Sequence, residues 1–206
     1  MRLLGRGGDR ERRGTPADLL VIGLGNPGDD YARTRHNVGA DTVELLARRH
    51  GGQLKKGKEK ALSAEVHHAG RRLALAFPTT FYNEAGQAAL LLSRRHGIDD
   101  PERIVVIHDE LDLPPGTLRV KAGGGLAGNK GLKSITAHLH TDEFLRVRIG
   151  VGKPPGRQQG ADHVLRRPGK VERTELDVAI EEAADAVEAI ATDGVAVAMN
   201  RFNTRG

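Results

Sequence analysis

The chain has 206 residues, of which 38% are hydrophobic, and this length and composition suit one globular domain with a modest core. The absence of cysteine excludes disulfides, cysteine-ligated zinc, iron–sulfur clusters and thiol catalysis. No apolar run approaches the roughly 20 residues that span a bilayer, and the Arg-rich start lacks the apolar stretch of a signal peptide. We therefore expect a cytoplasmic protein with no membrane partner.

The charge of the chain is basic and unevenly distributed. Lysine and arginine outnumber aspartate and glutamate by 32 to 27, which gives a formal net charge of +5. Residues 146–170 hold seven basic side chains against one acidic, whereas residues 171–206 hold three against eight. A basic body beside an acidic C-terminal helix suits a polyanionic partner, with nucleic acid as the leading candidate, although ordinary solubility explains the same charges.

The hydrophobic pattern predicts an α/β fold. Residues 1–17 predict a disordered basic arm, because they are rich in arginine and almost free of apolar side chains. In chain order the patterns then predict a strand at 18–23, a helix at 38–50, paired strands at 61–68 and 72–77, a helix at 83–96, strands at 103–109, 117–121 and 144–151, and a helix at 175–192. Thr174 is the predicted N-cap of the last helix. We expect a single α/β domain over 18–206, with a twisted mixed central sheet flanked by helices on both faces.

Two glycine-rich stretches have the spacing or composition of nucleotide-binding loops. Gly23-Leu-Gly-Asn-Pro-Gly28 fits the G-x-G-x-x-G pattern of dinucleotide-binding folds. A polar segment separates it from the next helix, and no strand ending in an acidic residue follows at the required distance, so NAD binding is disfavoured. Residues 123–131 lack the Gly-Lys-Ser/Thr of a phosphate loop. They predict either a flexible loop or backbone that approaches a phosphate or sugar.

Histidine is the best candidate for activating water. The chain has three serines and none lies in a G-x-S-x-G elbow, so a serine hydrolase is disfavoured. A neutral histidine can act near pH 7 when a carboxylate holds its other ring nitrogen. His36 follows the glycine turn in a polar loop, and His108-Asp109 closes a predicted strand at the end where open α/β sheets carry their sites. A single loop histidine is usually only a surface residue, but this polar cluster favours a site.

The histidine pairs lack the geometry of a metal site. Neighbours His67 and His68 face opposite sides of a strand. His138 and His140 lie two apart on a predicted helix, where such side chains do not face each other. We therefore predict no metal.

Five segments resemble the signatures of bacterial peptidyl-tRNA hydrolases, in that family's order and spacing. They are Gly23–Gly28 with Tyr31 and Thr34–Gly39, then Pro78–Gly86, His108–Gly116, Gly123–Ser134 and Arg146–Pro154. The resemblance extends from about Leu19 to Asn203. It implies hydrolysis of the ester that joins a peptide to the 3′ ribose of tRNA, without metal or cofactor, by a monomer whose partner is peptidyl-tRNA.

Matched by position, the resemblance implies roles for individual residues. His36 would activate water, and Asp109 would orient its imidazole and stabilise the imidazolium. Asn26 would hydrogen-bond the substrate near the scissile ester and help to distinguish peptidyl-tRNA from aminoacyl-tRNA. Positions that match residues contacting the tRNA end or the peptide are Tyr31, Phe81 and Asn83. Aromatic residues here fit a stacking and peptide-lining wall, although we expect either Phe81 or Tyr82 to pack in the core.

Two motifs depart from the family pattern. Tyr82 stands where the family usually has methionine, a change that we expect to be tolerated. Asn129 and Lys130 stand where the family has His-Asn, so Lys130 replaces a substrate-binding asparagine and is a candidate tRNA contact of a different kind. The alternative function is therefore an RNA-binding relative with weak or lost hydrolase activity. The intact His36 and Asp109 favour the enzyme.

Overall fold

A seven-stranded mixed sheet is the centre of the fold in the computed structural model, which describes residues 16–154, 156 and 159–203. Its strands are β1 (Leu19–Gly23), β2 (Lys55–Lys56), β3 (Ala61–His68), β4 (Arg71–Pro78), β5 (Ile104–Glu110), β6 (Leu118–Ala122) and β7 (Leu145–Gly150). They lie in the order β2-β3-β4-β1-β5-β7-β6. Strands β4, β1, β5 and β7 are parallel, while β2, β3 and β6 pair antiparallel with their neighbours. All six predicted strands are confirmed, and β2 is additional.

The central strands are apolar throughout because helices cover both faces of the sheet. On β1, Leu19 and Val21 pack into one core, whereas Leu20 and Ile22 pack into the other. Every residue of β5 is buried, as expected for a strand covered on both sides. The continuous apolar run that predicted a central strand there is therefore explained by this two-sided packing.

Six α-helices lie within the described ranges: α1 (Val38–Arg49), α2 (Gly86–Arg95), α3 (Lys130–Leu139), α4 (Gly160–Val164), α5 (Lys170–Asp193) and α6 (Val195–Phe202). Helices α1, α5 and α6 contribute to one core, and α2 and α3 contribute to the other. This arrangement confirms the prediction of an α/β domain with helices on both faces. In the described part of the chain, no helix combines the length and apolar character that a membrane crossing requires.

The start of the longest helix differs from the prediction. Helix α5 begins at Lys170 with Gly169 as its N-cap, so the prediction that Thr174 caps it is wrong. The Thr174 hydroxyl lies inside the helix and donates to the Lys170 carbonyl oxygen at 3.1 Å. The helix starts early because extended Gly169 follows Pro168, and nothing after Lys170 interrupts it.

Residues 1–15 of the predicted basic arm lie outside the described residues, so the arm stays a prediction. The described chain begins at Pro16. Ala17 is buried, and its amide donates to the His96 carbonyl oxygen at 3.2 Å.

Two glycines let the first turn of α1 lie against the ends of β1 and β5. A Cβ on Gly39 would lie 2.3 Å from the Ile107 carbonyl oxygen, and one on Gly23 would lie 2.1 Å from the Gly39 carbonyl oxygen. The Leu24 amide donates to the Ile107 carbonyl at 2.9 Å, and its own carbonyl accepts from the Ala40 amide at 3.1 Å. The segment that precedes α1 is therefore fixed at the carboxyl edge of the sheet.

Candidate active site

A cavity of about 460 Å³ opens at the carboxyl ends of the parallel strands, where open α/β sheets bind their ligands. Most of the predicted site residues line it, namely Asn26, His36, Phe81, Asn83, Asp109 and Lys130. Tyr31 is not among the lining residues. It lies in the preceding turn, where its carbonyl oxygen accepts from the Thr34 hydroxyl at 2.8 Å.

His36 and Asp109 are in hydrogen-bond contact inside this cavity. The His36 Nδ1 atom lies 2.9 Å from Asp109 Oδ2. An ionised carboxylate only accepts hydrogen bonds, so Nδ1 carries the proton of the neutral ring and Nε2 is left as the acceptor. Asp109 lies near the end of β5, and His36 lies in a 3₁₀ turn, Arg35–Asn37, directly before α1.

The turn that carries His36 is anchored by its neighbour Arg35. This arginine is buried, and its Nε and Nη2 atoms donate to the two carboxylate oxygens of Glu172 at 2.5 Å each. Its Nη1 atom donates to the carbonyl oxygens of His163 and Arg166 at 3.2 and 3.1 Å. The bidentate pair and the two carbonyl bonds tie the turn to the first turn of α5 and the end of α4.

Asn26 is held in a fixed orientation after the glycine turn. Its amide N–H donates to Asn37 Oδ1, and Asn37 Nδ2 donates back to the Asn26 carbonyl, both at 2.9 Å. Asn26 Oδ1 accepts from the Tyr82 amide at 2.8 Å. Because its oxygen is occupied, the side-chain NH₂ of Asn26 is the group available to a ligand in the cavity.

Tyr82 lies directly against the histidine–aspartate pair. Its ring stacks on the His36 imidazole, with centroids 3.6 Å apart and planes 13° from parallel. Its hydroxyl donates to Asp109 Oδ1 at 2.8 Å, and Asn129 Nδ2 donates to that hydroxyl at 2.8 Å. Burial, together with the charge of Asp109, raises the pKa of Tyr82 well above its usual value, so the phenol stays protonated.

The role of Tyr82 in the site was not predicted from the sequence. Tyr82 is 4% exposed and Phe81 is 55% exposed, which confirms the expectation that one of the two packs in the core. The sequence indicated that Tyr82 is a tolerated replacement for methionine that lies in an aromatic wall or in the core, and it predicted no contact for Asn129. The signal that could have pointed to both is that the two departures from the family pattern occur together.

His108 lies next to Asp109 but does not line the cavity. It is buried, and its Nδ1 atom lies 2.8 Å from the Asp109 carbonyl oxygen. Burial lowers the pKa of His108, so the ring stays neutral. Lys130 is exposed at the cavity and begins α3, directly after the N-cap Asn129.

One group in the described ranges has the donor atoms for a metal, and it lies away from the cavity. His50, His68 and Glu188 bring their ligand atoms within 4.8 Å of one another. His50 Nε2 lies 2.9 Å from Glu188 Oε1, and Arg49 Nη1 lies 3.3 Å from the same oxygen. The carboxylate is therefore already paired with a guanidinium, which disfavours a metal cation there.

The fold and the cavity are those of an α/β ester hydrolase. The sequence model of the peptidyl-tRNA hydrolase family matches residues 20–206. A peptidyl-tRNA hydrolase from Frankia alni is 48% identical over 184 residues, which cover 89% of this chain and 93% of the relative. One from Cutibacterium acnes is 46% identical over 196 residues, 90% of this chain and 98% of the relative.

Solved structures agree with these relatives. The crystal structure of peptidyl-tRNA hydrolase from Acinetobacter baumannii has a TM-score of 0.85 and 38% identity, and the match covers 93% of this chain and 97% of that one. The chain belongs to the peptidyl-tRNA hydrolase family. These comparisons give no support to the alternative of an RNA-binding relative with weak or lost hydrolase activity.

Proposed function

We propose that this chain carries out the reaction of its family, the hydrolysis of the ester between peptide and tRNA, with His36 as the general base. His36 Nε2 takes a proton from water while the water oxygen attacks the ester carbonyl carbon. Asp109 holds the Nδ1 proton and stabilises the imidazolium that forms. When the tetrahedral intermediate collapses, the imidazolium returns the proton to the departing 3′ oxygen of the ribose. The 2.9 Å hydrogen bond between His36 and Asp109 carries this proposal.

The other lining residues have roles that suit the substrate. The free NH₂ of Asn26 donates to a carbonyl of the peptide close to the ester. An aminoacyl-tRNA presents an ammonium instead, which is a donor only and cannot accept that hydrogen bond. Phe81 and Asn83 are exposed at the cavity, where they contact the peptide or the tRNA end. Lys130 contacts a tRNA phosphate, and Tyr31 contacts the tRNA outside the cavity.

The chain acts as a monomer in the cytoplasm under this proposal. The described residues that line the cavity suit a site built from one copy of the chain, and peptidyl-tRNA is a product of translation. Light scattering during size-exclusion chromatography tests the monomer, and a stable dimer would contradict it.

Substitution of His36 by alanine tests the mechanism. We expect His36→Ala to lower turnover by about 10²–10⁴-fold, the usual contribution of a general base. The affinity for tRNA should change little, because phosphate contacts come from lysine and arginine. The assay is release of free tRNA from a purified N-blocked aminoacyl-tRNA, with unblocked aminoacyl-tRNA as the substrate control. His67→Ala, which removes an exposed histidine of β3, is the matched control and should keep full activity. Near-normal turnover of His36→Ala would contradict the mechanism.

A further inference from the structure

We propose that Tyr82 and Asn129 are positioning residues that hold the His36–Asp109 pair in its reactive geometry. Tyr82 contacts both members of the pair, through its ring and through its hydroxyl, and Asn129 orients that hydroxyl. This inference rests on the proposed roles of His36 and Asp109. It adds the two residues that set the orientation of both.

The direction of every hydrogen bond in this chain of contacts is determined by the one before it. Asn129 Oδ1 accepts from the Leu132 amide at 3.0 Å as the N-cap of α3, so its NH₂ end faces Tyr82. That NH₂ donates to the Tyr82 hydroxyl at 2.8 Å, and the single phenol proton then goes to Asp109 Oδ1 at 2.8 Å. Oδ2 of Asp109 remains for His36. The helix cap thus fixes the orientation of the catalytic carboxylate.

The position of the Tyr82 ring is fixed independently of its hydroxyl. The ring lies between the His36 imidazole and the start of α3, where a Cβ on Gly131 would come within 2.5 Å of a Tyr82 ring carbon. Its backbone amide is held by Asn26 at 2.8 Å. The ring therefore has one place to lie, and the imidazole stacked on it is held in one plane.

Both residues depart from the family pattern, one in each of the two motifs that differ, and they contact each other. They are 47 positions apart in the chain, yet they form a direct hydrogen bond. Methionine in place of Tyr82 would have no O–H to donate to Asp109. The two replacements therefore act as a pair, in which the tyrosine supplies a new donor to the carboxylate and the asparagine sets its direction.

The other titratable groups around the pair do not supply this contact. His108 faces the backbone carbonyl of Asp109 and not its carboxylate, at 2.8 Å. Glu110 is paired with Arg148 at 2.9 Å. Among the described side chains, the carboxylate of Asp109 thus takes hydrogen bonds from His36 and Tyr82.

Tyr82→Phe and Asn129→Ser test the proposal in the same hydrolysis assay. We expect Tyr82→Phe to lower kcat by about 10-fold with KM nearly unchanged, because a hydrogen bond to a charged group is one of the stronger ones. The acid limb of its pH–rate profile should move to higher pH, because the Asp109 charge, no longer shared with a phenol, favours the protonated imidazole more strongly. Asn129→Ser keeps a capping side chain but cannot reach Tyr82, so it should show a smaller loss and the same direction of shift.

The double variant shows whether Asn129 acts through the Tyr82 hydroxyl or independently of it. Because Asn129 acts through the Tyr82 hydroxyl, Tyr82→Phe combined with Asn129→Ser should be no slower than Tyr82→Phe alone. The family residues provide a rescue, since Tyr82→Met combined with Asn129→His should be more active than either single variant. Ser93→Ala is the matched control, because it removes a buried hydroxyl that donates to the Leu90 carbonyl oxygen at 2.9 Å. It should change neither kcat nor the pH profile.

Each outcome has one meaning. If His36→Ala is inactive while Tyr82→Phe keeps the wild-type kcat and pH profile, the inference is overturned. It is also overturned if the loss of kcat in the double variant equals the product of the losses in the two single variants. An active His36→Ala would instead overturn the proposed mechanism itself. Thermal unfolding checks that each variant is folded. If Tyr82→Phe does not fold, Asn129→Ser carries the test, and an unchanged kcat in that variant would overturn the inference.

Discussion

At the scale of single residues, the candidate active site shows how the oxygens of a buried carboxylate are supplied with hydrogen-bond donors. Asp109 is 6% exposed, and a polar group at that depth is stable only when hydrogen-bond partners take the place of water. His36 and Tyr82 each donate to one of its oxygens. The bond to His36 also fixes the tautomer of the histidine, so one set of contacts both takes the place of water at the carboxylate and orients the imidazole.

The pH dependence of the reaction follows from this arrangement. We expect kcat/KM to rise with pH through the histidine range, about pH 5 to 8, because only the neutral imidazole accepts a proton from water. Asp109→Asn should lower the rate by about 10²–10⁴-fold, since an amide no longer selects the Nδ1–H tautomer. Asp99→Asn, at an exposed carboxylate after α2, is the control and should match the wild type. A flat profile with chemistry rate-limiting would contradict a histidine base.

At the scale of elements, the close approach of α1 to the sheet places His36. We expect Gly39→Ala to destabilise the fold by about 3 kcal/mol, because its Cβ would meet the Ile107 carbonyl oxygen and the Leu24 backbone, which cannot rotate away. For a protein of this size this lowers the Tm by about 6–12 °C, and kcat should fall with it. Gly125→Ala adds a Cβ in open space and should change stability by less than about 0.5 kcal/mol. Thermal unfolding of both variants measures the difference, and equal Tm values would refute the packing argument.

Helices and strands with a regular spacing of apolar residues were predictable, and elements whose bounds depend on contacts distant in sequence were not. The strands follow from runs of apolar residues, and α1 follows from apolar residues spaced three and four positions apart. Helix α6 begins with an alternation of valine and alanine, and it forms because Val195, Ala198 and Phe202 pack on the core as one helical face. Helix α3 confirms the helix predicted at His138, but it ends at Leu139, so the prediction that His140 lies on it is wrong; His140 follows the helix in the left-handed conformation, and the start of the helix is set by the Asn129 cap.

The candidate site was predictable to the extent that its motifs are local. The sequence singled out His36, Asp109 and Asn26, and the structure brings all three to one cavity. The contact between Tyr82 and Asn129 joins residues 47 positions apart, so no local pattern indicates it. Tyr31 matched a motif position, yet it lies outside the lining, because the motif fixes its place in the turn and not the direction of its side chain.

At the scale of the whole molecule, several acidic side chains of the C-terminal region pair with an arginine of another helix. Arg49, at the end of α1, pairs with Glu181, Asp185 and Glu188 of α5. Some of the negative charge of α5 is therefore paired with the positive charge of Arg49 on α1, and both helices lie on the sheet face opposite α3. Lys130 begins α3 at the cavity, so a positive charge lies beside the proposed binding site for a polyanionic substrate.

The salt dependence of tRNA binding tests this distribution of charge. We expect the affinity to fall linearly on a log–log plot with salt, and Lys130→Asn should reduce the slope by at most about 0.7–0.9, the value for one phosphate. Lys55→Gln, on the edge strand β2, removes the same charge away from the cavity and should leave the slope unchanged.

If Lys130 instead marks a loss of function, Lys130→Asn should raise the rate of hydrolysis about tenfold. We expect the first result, because decay of the site would also have removed His36 or Asp109. Binding and turnover at two salt concentrations separate the cases, and a large gain in rate without a change of slope would contradict our interpretation.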